Sequence, residues 1–194
     1  MRTKICGITS YQDAIDAINA GANALGFVFY DKSPRYISVE DARNIIQQLP
    51  PFVEKVALFV NEDKATIEKA CKESGATLAQ LHFEASDELY ETLEVPHIKV
   101  IRAQSQEDIL KYSNEYRLID AYCEAYGGAG KRINIEWFDG VDCSKIILAG
   151  GLDPDNVSSL KKYNFYGVDV SSGVEASKGI KEPDKVRKFI ANAM

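Results

Sequence analysis

Histidine is almost missing from this chain of 194 residues, which has two, and cysteine is sparse at four. Cys6, Cys71, Cys123 and Cys143 form no C-x-x-C pair, and only His82 and His97 could join them. That leaves neither the ligand spacing of a zinc site nor the density of a disulfide framework. A basic tract is missing too: 23 Lys and Arg lie scattered among 29 Asp and Glu, for a net charge of −6. Nucleic acid then has no electrostatic footprint to meet, and a membrane surface no basic amphipathic stretch. No apolar run reaches the length of a membrane span, and MRTKICGITS at the start has no apolar core behind its basic residues. Low-complexity segments and linkers are also lacking. These absences predict a soluble, cytoplasmic protein whose partner is a small molecule, with no nucleic acid, no membrane and no metal. Whether it is a monomer or homodimer stays open.

What is there is a 45% hydrophobic chain able to bury a substantial core as one domain spanning 1–194. Short β-rich runs recur at a steady interval, near Lys4–Cys6, Leu25–Phe29, Val56–Val60, Leu78–Leu81, Ile98–Arg102, Leu118–Asp120, Ile146–Leu148 and Val168–Val170. Several are continuously apolar, the mark of strands covered on both faces of a parallel sheet. Helix-period segments lie between them. Ser10-x-x-Asp13, Ser38-x-x-Asp41 and Ser105-x-x-Asp108 resemble capping boxes, Asn61 and Ser86 can cap two more helices, and Asp153-Pro154 and Glu182-Pro183 supply starts with proline at the first helical position. Gly21, Pro50, Gly75 and Pro96 are stops.

Eight alternations of strand and helix predict an α/β fold, a compact (β/α)8 TIM barrel, because each parallel crossover needs a helix and eight strands can close without an edge. Each unit has about 24 residues, near the lower limit for this fold, with no room for an inserted domain. The sixth unit is the weakest, since IEWFDGVD offers only a short helical piece. An open doubly wound sheet of the same element order is the competing architecture.

In such barrels the reactive groups gather where strands end. Here those ends are polar: Cys6-Gly7 after the first strand, Ser33-Pro34-Arg35 beyond the second, His82 after the fourth and Asp120 at the sixth. Gly150 and Gly151 follow the seventh strand, and Asp169, Ser171, Ser172 and Gly173 belong to the eighth. Small residues with free amides at those last two ends suit a phosphate. Two ordinary tight turns would use the same residue types, but their occurrence on adjacent strand ends favours phosphate. YGGAGKR is not a P-loop, because Ala125 stands where the first glycine belongs and Arg132 where the hydroxyl belongs. Gly127, Gly128 and Gly130 read better as a loop covering a site. Cys71 falls at helical spacing with Ile67 and Ala70 and reads as core, Cys143 lies away from the reactive end, and Cys123 has no partner spacing. Cys6 alone is placed to react.

In order along the chain, KICGIT (Lys4–Thr9), GFVFYDKSPRYIS (Gly26–Ser38), LFVNE (Leu58–Glu62), QLH (Gln80–His82), LID with YGGAGK (Leu118–Lys131), LAGGLDPDNV (Leu148–Val157) and VDVSSGVE (Val168–Glu175) resemble the phosphoribosylanthranilate isomerases. The resemblance implies an Amadori rearrangement in tryptophan biosynthesis, turning the aminoaldose N-(5-phosphoribosyl)anthranilate into the aminoketose 1-(2-carboxyphenylamino)-1-deoxyribulose 5-phosphate, with no cofactor. It assigns Asp120 as the general acid that opens the ring and Cys6 as the base that takes the proton from ribose C2. It also gives Arg35 to the anthranilate carboxylate, Asp169 to ribose hydroxyls or proton transfer, and the turns of strands seven and eight to phosphate.

Those roles make physical demands. A thiol near ~8.5 must lose its proton to act and an Asp near ~3.9 must hold one, so both pKa values have to move towards neutrality. Burial raises the Asp but works against the thiolate, so positive potential or a hydrogen bond is expected beside Cys6. His82 either orients substrate or satisfies a strand-end hydrogen bond, and it is kept outside the catalytic pair. Taken singly, Cys6 reads as a small buried hydrophobe, Asp120 as a loop cap and Arg35 as a surface cation; their ordered constellation reverses that reading. Departures from the family pattern, Phe83 after QLH, Ala129 in the loop and a longer Arg132–Trp137 stretch, lie around the site. Two other functions compete: another cofactor-free sugar-phosphate isomerase or epimerase, and a silent barrel that binds a phosphorylated ligand.

Overall fold

Continuous apolar strands need cover on both faces, and closure into a barrel supplies it. The computed structural model describes residues 1–121 and 132–194. In it eight parallel strands close in sequence order: β1 (Arg2–Cys6), β2 (Ala24–Val28), β3 (Glu54–Phe59), β4 (Leu78–Leu81), β5 (His97–Ala103), β6 (Arg117–Ala121), β7 (Ile146–Leu148) and β8 (Gly167–Val170). The pairing of β1 with β8 leaves no edge, which excludes the open sheet. Among the described residues no helix is long and apolar enough to cross a membrane.

Five α-helices are described, α1 (Tyr11–Asn19), α2 (Val39–Ile46), α3 (Lys64–Ser74), α4 (Asp87–Thr92) and α5 (Pro183–Ala193). Ser10, Ser38 and Ser86 cap α1, α2 and α4 as expected, each accepting from the backbone N–H three residues on, at 3.1, 3.0 and 3.2 Å. Pro183 opens α5 at its first position, and Gly75 ends α3 with φ +80°. One expected start moves and two open only tight turns. Asn61 sits in a left-handed turn at φ +55°, and Asp63 caps α3 in its place. Asp108 turns back on the amides of Gln104 and Ser105, leaving a single 3-10 turn at Asp108–Leu110. Asp153 does cap as expected, accepting from the amides of Asp155 and Asn156 with Pro154 next in the chain, but what it opens is a turn running into a 3-10 segment at Val157, not an α-helix. At Asp108 and Asp153 the capping bonds form but the turns they open stay 3-10. With Ile135–Phe138 also 3-10, the short piece expected of the sixth unit, three of the crossovers carry tight turns in place of full helices. An antiparallel hairpin, β9 (Glu175–Ser177) and β10 (Ile180–Lys181), follows β8 and was not foreseen.

Strand alternation sends side chains to two cores. Ile5, Leu25, Phe27, Phe59, Leu81 and Ile119 face outward into one large cluster with Ala14, Ala17, Ile45, Ile67 and Phe189 of the helices. Inside the barrel the apolar packing splits into two small groups, Cys6, Val28, Leu58 and Val60 on one side and Ile98, Val100, Leu118 and Ala149 on the other. Lys4, Gln80, His82 and Asp169 are buried polar residues of the same barrel. An interior usually filled by branched aliphatics is here partly given over to charge.

Candidate active site

Cys6 ends β1, where the register sets it opposite Gly26 of β2. A Cβ at position 26 would lie 2.7 Å from the Cys6 sulfur, so glycine is what makes room for the thiol. Two residues back on the same strand face, Lys4 places its ammonium 2.9 Å from Oδ2 of Asp169 on β8, both side chains buried. Burial pushes the Cys6 thiol above its ordinary 9.0, Lys4 pulls it down, Asp169 adds to the rise, and Lys181 pulls it down as well. The positive potential expected beside this thiol comes from these two lysines, but burial outweighs it and the thiol moves up, away from the neutrality expected of it. Burial alone would discharge Lys4, but Asp169 and then Cys6 outweigh it and hold the ammonium above 10.5.

Asp120 points inward near the end of β6. Burial raises its carboxyl to about 6, and the Asp169 charge adds to the rise against the Ala121 N–H, Arg102 and Lys4. Its Oδ2 lies 3.4 Å from His82 Nε2. His82 is driven down to about 4 by burial, Arg102 and Lys4, and is therefore neutral at pH 7. Gly150, at φ +91°, keeps the loop after β7 against the acid: a Cβ there would sit 2.7 Å from Asp120 Oδ1.

Arg35 is buried where a surface cation was the rival reading. Its Nε and Nη2 donate to the two oxygens of Glu175 at 2.7 and 2.8 Å, a bidentate pair 140 residues apart in sequence. Lys181 adds a third charge, donating to Glu175 Oε1 at 3.0 Å. Burial would raise Glu175, but Arg35 and Lys181 hold it below the usual carboxylate range. The cluster keeps one net positive charge.

Beyond β7 and β8, Gly151 adopts φ +62°, and Ser171 leads into a 3-10 turn, Ser172–Val174. Ser171 Oγ and Asp169 Oδ1 are buried without a hydrogen-bond partner, an arrangement proteins rarely leave unless a ligand or water completes it. Gly173 locks the two loops together, since a Cβ there would fall 1.9 Å from the Leu152 carbonyl oxygen. Gly173→Ala must separate them. We expect a stability loss of about 1–3 kcal/mol and weaker phosphate binding, read by denaturant unfolding and by titration with inorganic phosphate; unchanged values in both would deny the lock.

Gly127, Gly128 and Gly130 of the expected covering loop, with Cys123 and Ala129, lie outside the described residues. Just after them Arg132 donates to the Gly151 carbonyl and to Asp153, each at 3.2 Å. Phe83, the departure after QLH, is buried in the outer core. Cys71 is buried in the outer core, its thiol raised by burial to about 11, and Cys143 donates to the Val141 carbonyl. Sequence reasoning missed Lys4, Gln80, Glu175 and Lys181. Period-two alternation from Cys6 could have found Lys4, whereas Glu175 and Lys181 carry no local signal.

A family model described as N-(5'phosphoribosyl)anthranilate (PRA) isomerase matches residues 3–192. A Sulfurovum protein called N-(5'-phosphoribosyl)anthranilate isomerase is 59% identical over 193 residues, covering 100% of this chain and 98% of its own. The crystal structure of phosphoribosyl anthranilate isomerase from Thermotoga maritima superposes with a TM-score of 0.92 at 40% identity, covering 100% of this chain and 98% of that one. A further structure of such an isomerase, in complex with reduced 1-(o-carboxyphenylamino)-1-deoxyribulose 5-phosphate, gives a TM-score of 0.85 at 39% identity over 100% and 98% of the two chains.

Proposed function

This chain belongs to the N-(5'-phosphoribosyl)anthranilate isomerase family, and we propose that it carries out that isomerisation with Asp120 as general acid and Cys6 as general base. The reaction, a step of tryptophan biosynthesis, moves protons and neither adds nor removes atoms. Asp120 gives its proton to the ribose ring oxygen as the C1–O bond breaks and the nitrogen lone pair forms an iminium at C1. The Cys6 thiolate takes the proton from C2, and the electron pair left behind makes the enolamine. Proton return to C1 and loss of the C2 hydroxyl proton yield the aminoketose.

The observation that carries this reading is a thiol beside an ammonium and a carboxyl raised to about 6, both inward at the same end of one barrel. Burial and neighbouring charge prepare the acid in this way, while Lys4 and Lys181 offset part of the burial that raises the thiol. Arg35, with Nε and Nη2 held by Glu175, takes the anthranilate carboxylate into a cluster with one positive charge to spare. Asp169 Oδ1 and Ser171 Oγ, both buried and unpartnered, receive ribose and phosphate groups, with the amides around Gly150, Gly151, Ser172 and Gly173 completing the phosphate cradle. The test is turnover of freshly generated N-(5'-phosphoribosyl)anthranilate, followed by loss of its fluorescence with no added cofactor. A folded protein that leaves the substrate untouched overturns the reading.

The two pKa directions also predict a pH profile. In the free enzyme the acid titrates near about 6 and the thiol above 9.0, so the active pair, thiolate with protonated Asp120, is a minority form at pH 7–8. Below about 6 the acid is already protonated, and each unit of falling pH costs tenfold in thiolate; kcat/KM falls. Between the two values loss of acid and gain of thiolate cancel, which gives a plateau. Above the thiol pKa only the acid is still being lost, and kcat/KM falls again. The lower limb therefore belongs to Asp120. Because a substrate phosphate also titrates near ~6, the carboxyl must show the same value by 13C NMR of the free protein. An Asp120 titrating near 4 would take the lower limb away from it.

A further inference from the structure

Gln80 on the inward face of β4 and His82 just past the end of that strand are neighbours, the first ending the buried polar interior and the second reaching the acid. Gln80 Nε2 lies 3.4 Å from His82 Nδ1, and His82 Nε2 lies 3.4 Å from Asp120 Oδ2. Gln80 is 1% exposed and His82 6%, so bulk water does not set which ring nitrogen carries the proton. We propose that Gln80 is a positioning residue: its amide holds His82 in the Nε2–H tautomer, so that His82 donates to Oδ2 of Asp120 and leaves Oδ1 to exchange the proton with substrate. This rests on Asp120 being the general acid.

A neutral imidazole has one N–H to place. Neutrality is imposed by burial together with Arg102 of β5 and Lys4 of β1. With the Gln80 NH2 directed at Nδ1, that nitrogen must be the acceptor, and the ring proton goes to Nε2. The orientation leaves Gln80 Oε1 buried without a partner. Turning the amide would put the two-donor NH2 in the unpaired position instead, and an unsatisfied carbonyl is the more tolerable of the two. The opposite tautomer would aim the Nε2 lone pair at Oδ2. That would either repel the carboxylate or draw the acid's proton onto Oδ2, against the ring. The other oxygen, Oδ1, lies against the space that Gly150 keeps open. Among the described residues the groups facing Asp120 are His82 just past β4, Arg102 from β5, Lys4 from β1, Asp169 from β8 and the Ala121 N–H from β6. Among them His82 is the one whose donor or acceptor character is selectable.

With only two histidines in the chain, long-range 1H–15N NMR of 15N-histidine-labelled protein reads the tautomer directly, and His97→Gln assigns the signals. Wild-type His82 is expected to show a protonated Nε2 and a bare Nδ1. Gln80→Glu, which puts an acceptor on Nδ1, should move a proton there and lower kcat about tenfold, the worth of one hydrogen bond, with KM little changed. Gln80→Met, which offers Nδ1 nothing, should give mixed tautomers and a smaller loss. A wild-type His82 protonated on Nδ1 overturns the proposal without needing any variant to fold. So does a Gln80→Glu enzyme whose tautomer has changed while kcat has not. Full turnover in Asp120→Asn would instead sink the acid assignment and leave the tautomer result standing.

Discussion

Cys6→Ala is expected to lose turnover by about 10²–10⁴-fold, the range a positioned general base contributes, while the protein still folds and still binds phosphate. The sulfur occupies space that Gly26 leaves clear, packed with Val28, Leu58 and Val60. Removing it should cost about 1 kcal/mol, the scale of one buried methylene, which shifts the melting temperature by only a few degrees. Chemistry and stability therefore separate cleanly. The size of the loss follows from what surrounds the thiol. Lys4 is held charged by Asp169 at 2.9 Å, so removal of a proton from Cys6 creates an ion pair inside a barrel where the alternative, a lone thiolate, would be unaffordable. Cys6→Ser keeps the volume but raises the pKa of the base far beyond a thiol's, and should be nearly as slow as alanine. A Cys6→Ala enzyme with wild-type kcat would mean that another group takes the C2 proton.

Asp120→Asn should cost a comparable ~10²–10⁴-fold in kcat, with the opposite expectation for stability. Asparagine is close to isosteric and can still accept from His82 Nε2, but it has no proton to give to the ring oxygen. The wild-type carboxyl is raised to about 6 because burial and the Asp169 charge both oppose its ionisation. At pH 7–8 the native protein therefore carries a buried anion that it would be more stable without. The neutral amide relieves that strain, so the variant should melt no lower than wild type at pH 8, and the advantage should shrink as pH falls below about 6 and Asp120 becomes neutral. The sign is fixed by linkage: a carboxyl whose folded-state pKa is raised favours folding less as pH rises through that value. Retained turnover in Asp120→Asn would remove Asp120 from the mechanism. A pH-independent stability difference would remove burial as the cause of its raised pKa.

The central parts of the eight strands were legible because a strand covered on both faces must be apolar along its length, and that pattern is local. Helix starts at Ser10, Ser38 and Ser86 were legible for the same reason: a cap and its amide lie three residues apart. At Asp153 and at Ser105-x-x-Asp108 the local capping bonds formed too, but what they opened stayed 3-10, and at Asn61 the chain turned left-handed before the helix began.

By itself the sequence determined the alternation of strand and helix, the polar character of the strand ends, and the ordered motifs that tie the chain to its family. Tertiary structure alone decided the electrostatics. Lys4 meets Asp169 only because β1 closes against β8, and Arg35 meets Glu175 and Lys181 only because the hairpin after β8 folds back over the loop after β2. These partners are 165, 140 and 6 residues apart along the chain. A pKa depends on distance through space and on exclusion of water, and neither is a property of neighbouring letters. The sequence could therefore require that something positive stand beside Cys6, and strand alternation could nominate Lys4, but closure of the barrel was needed to bring the Asp169 that keeps it charged.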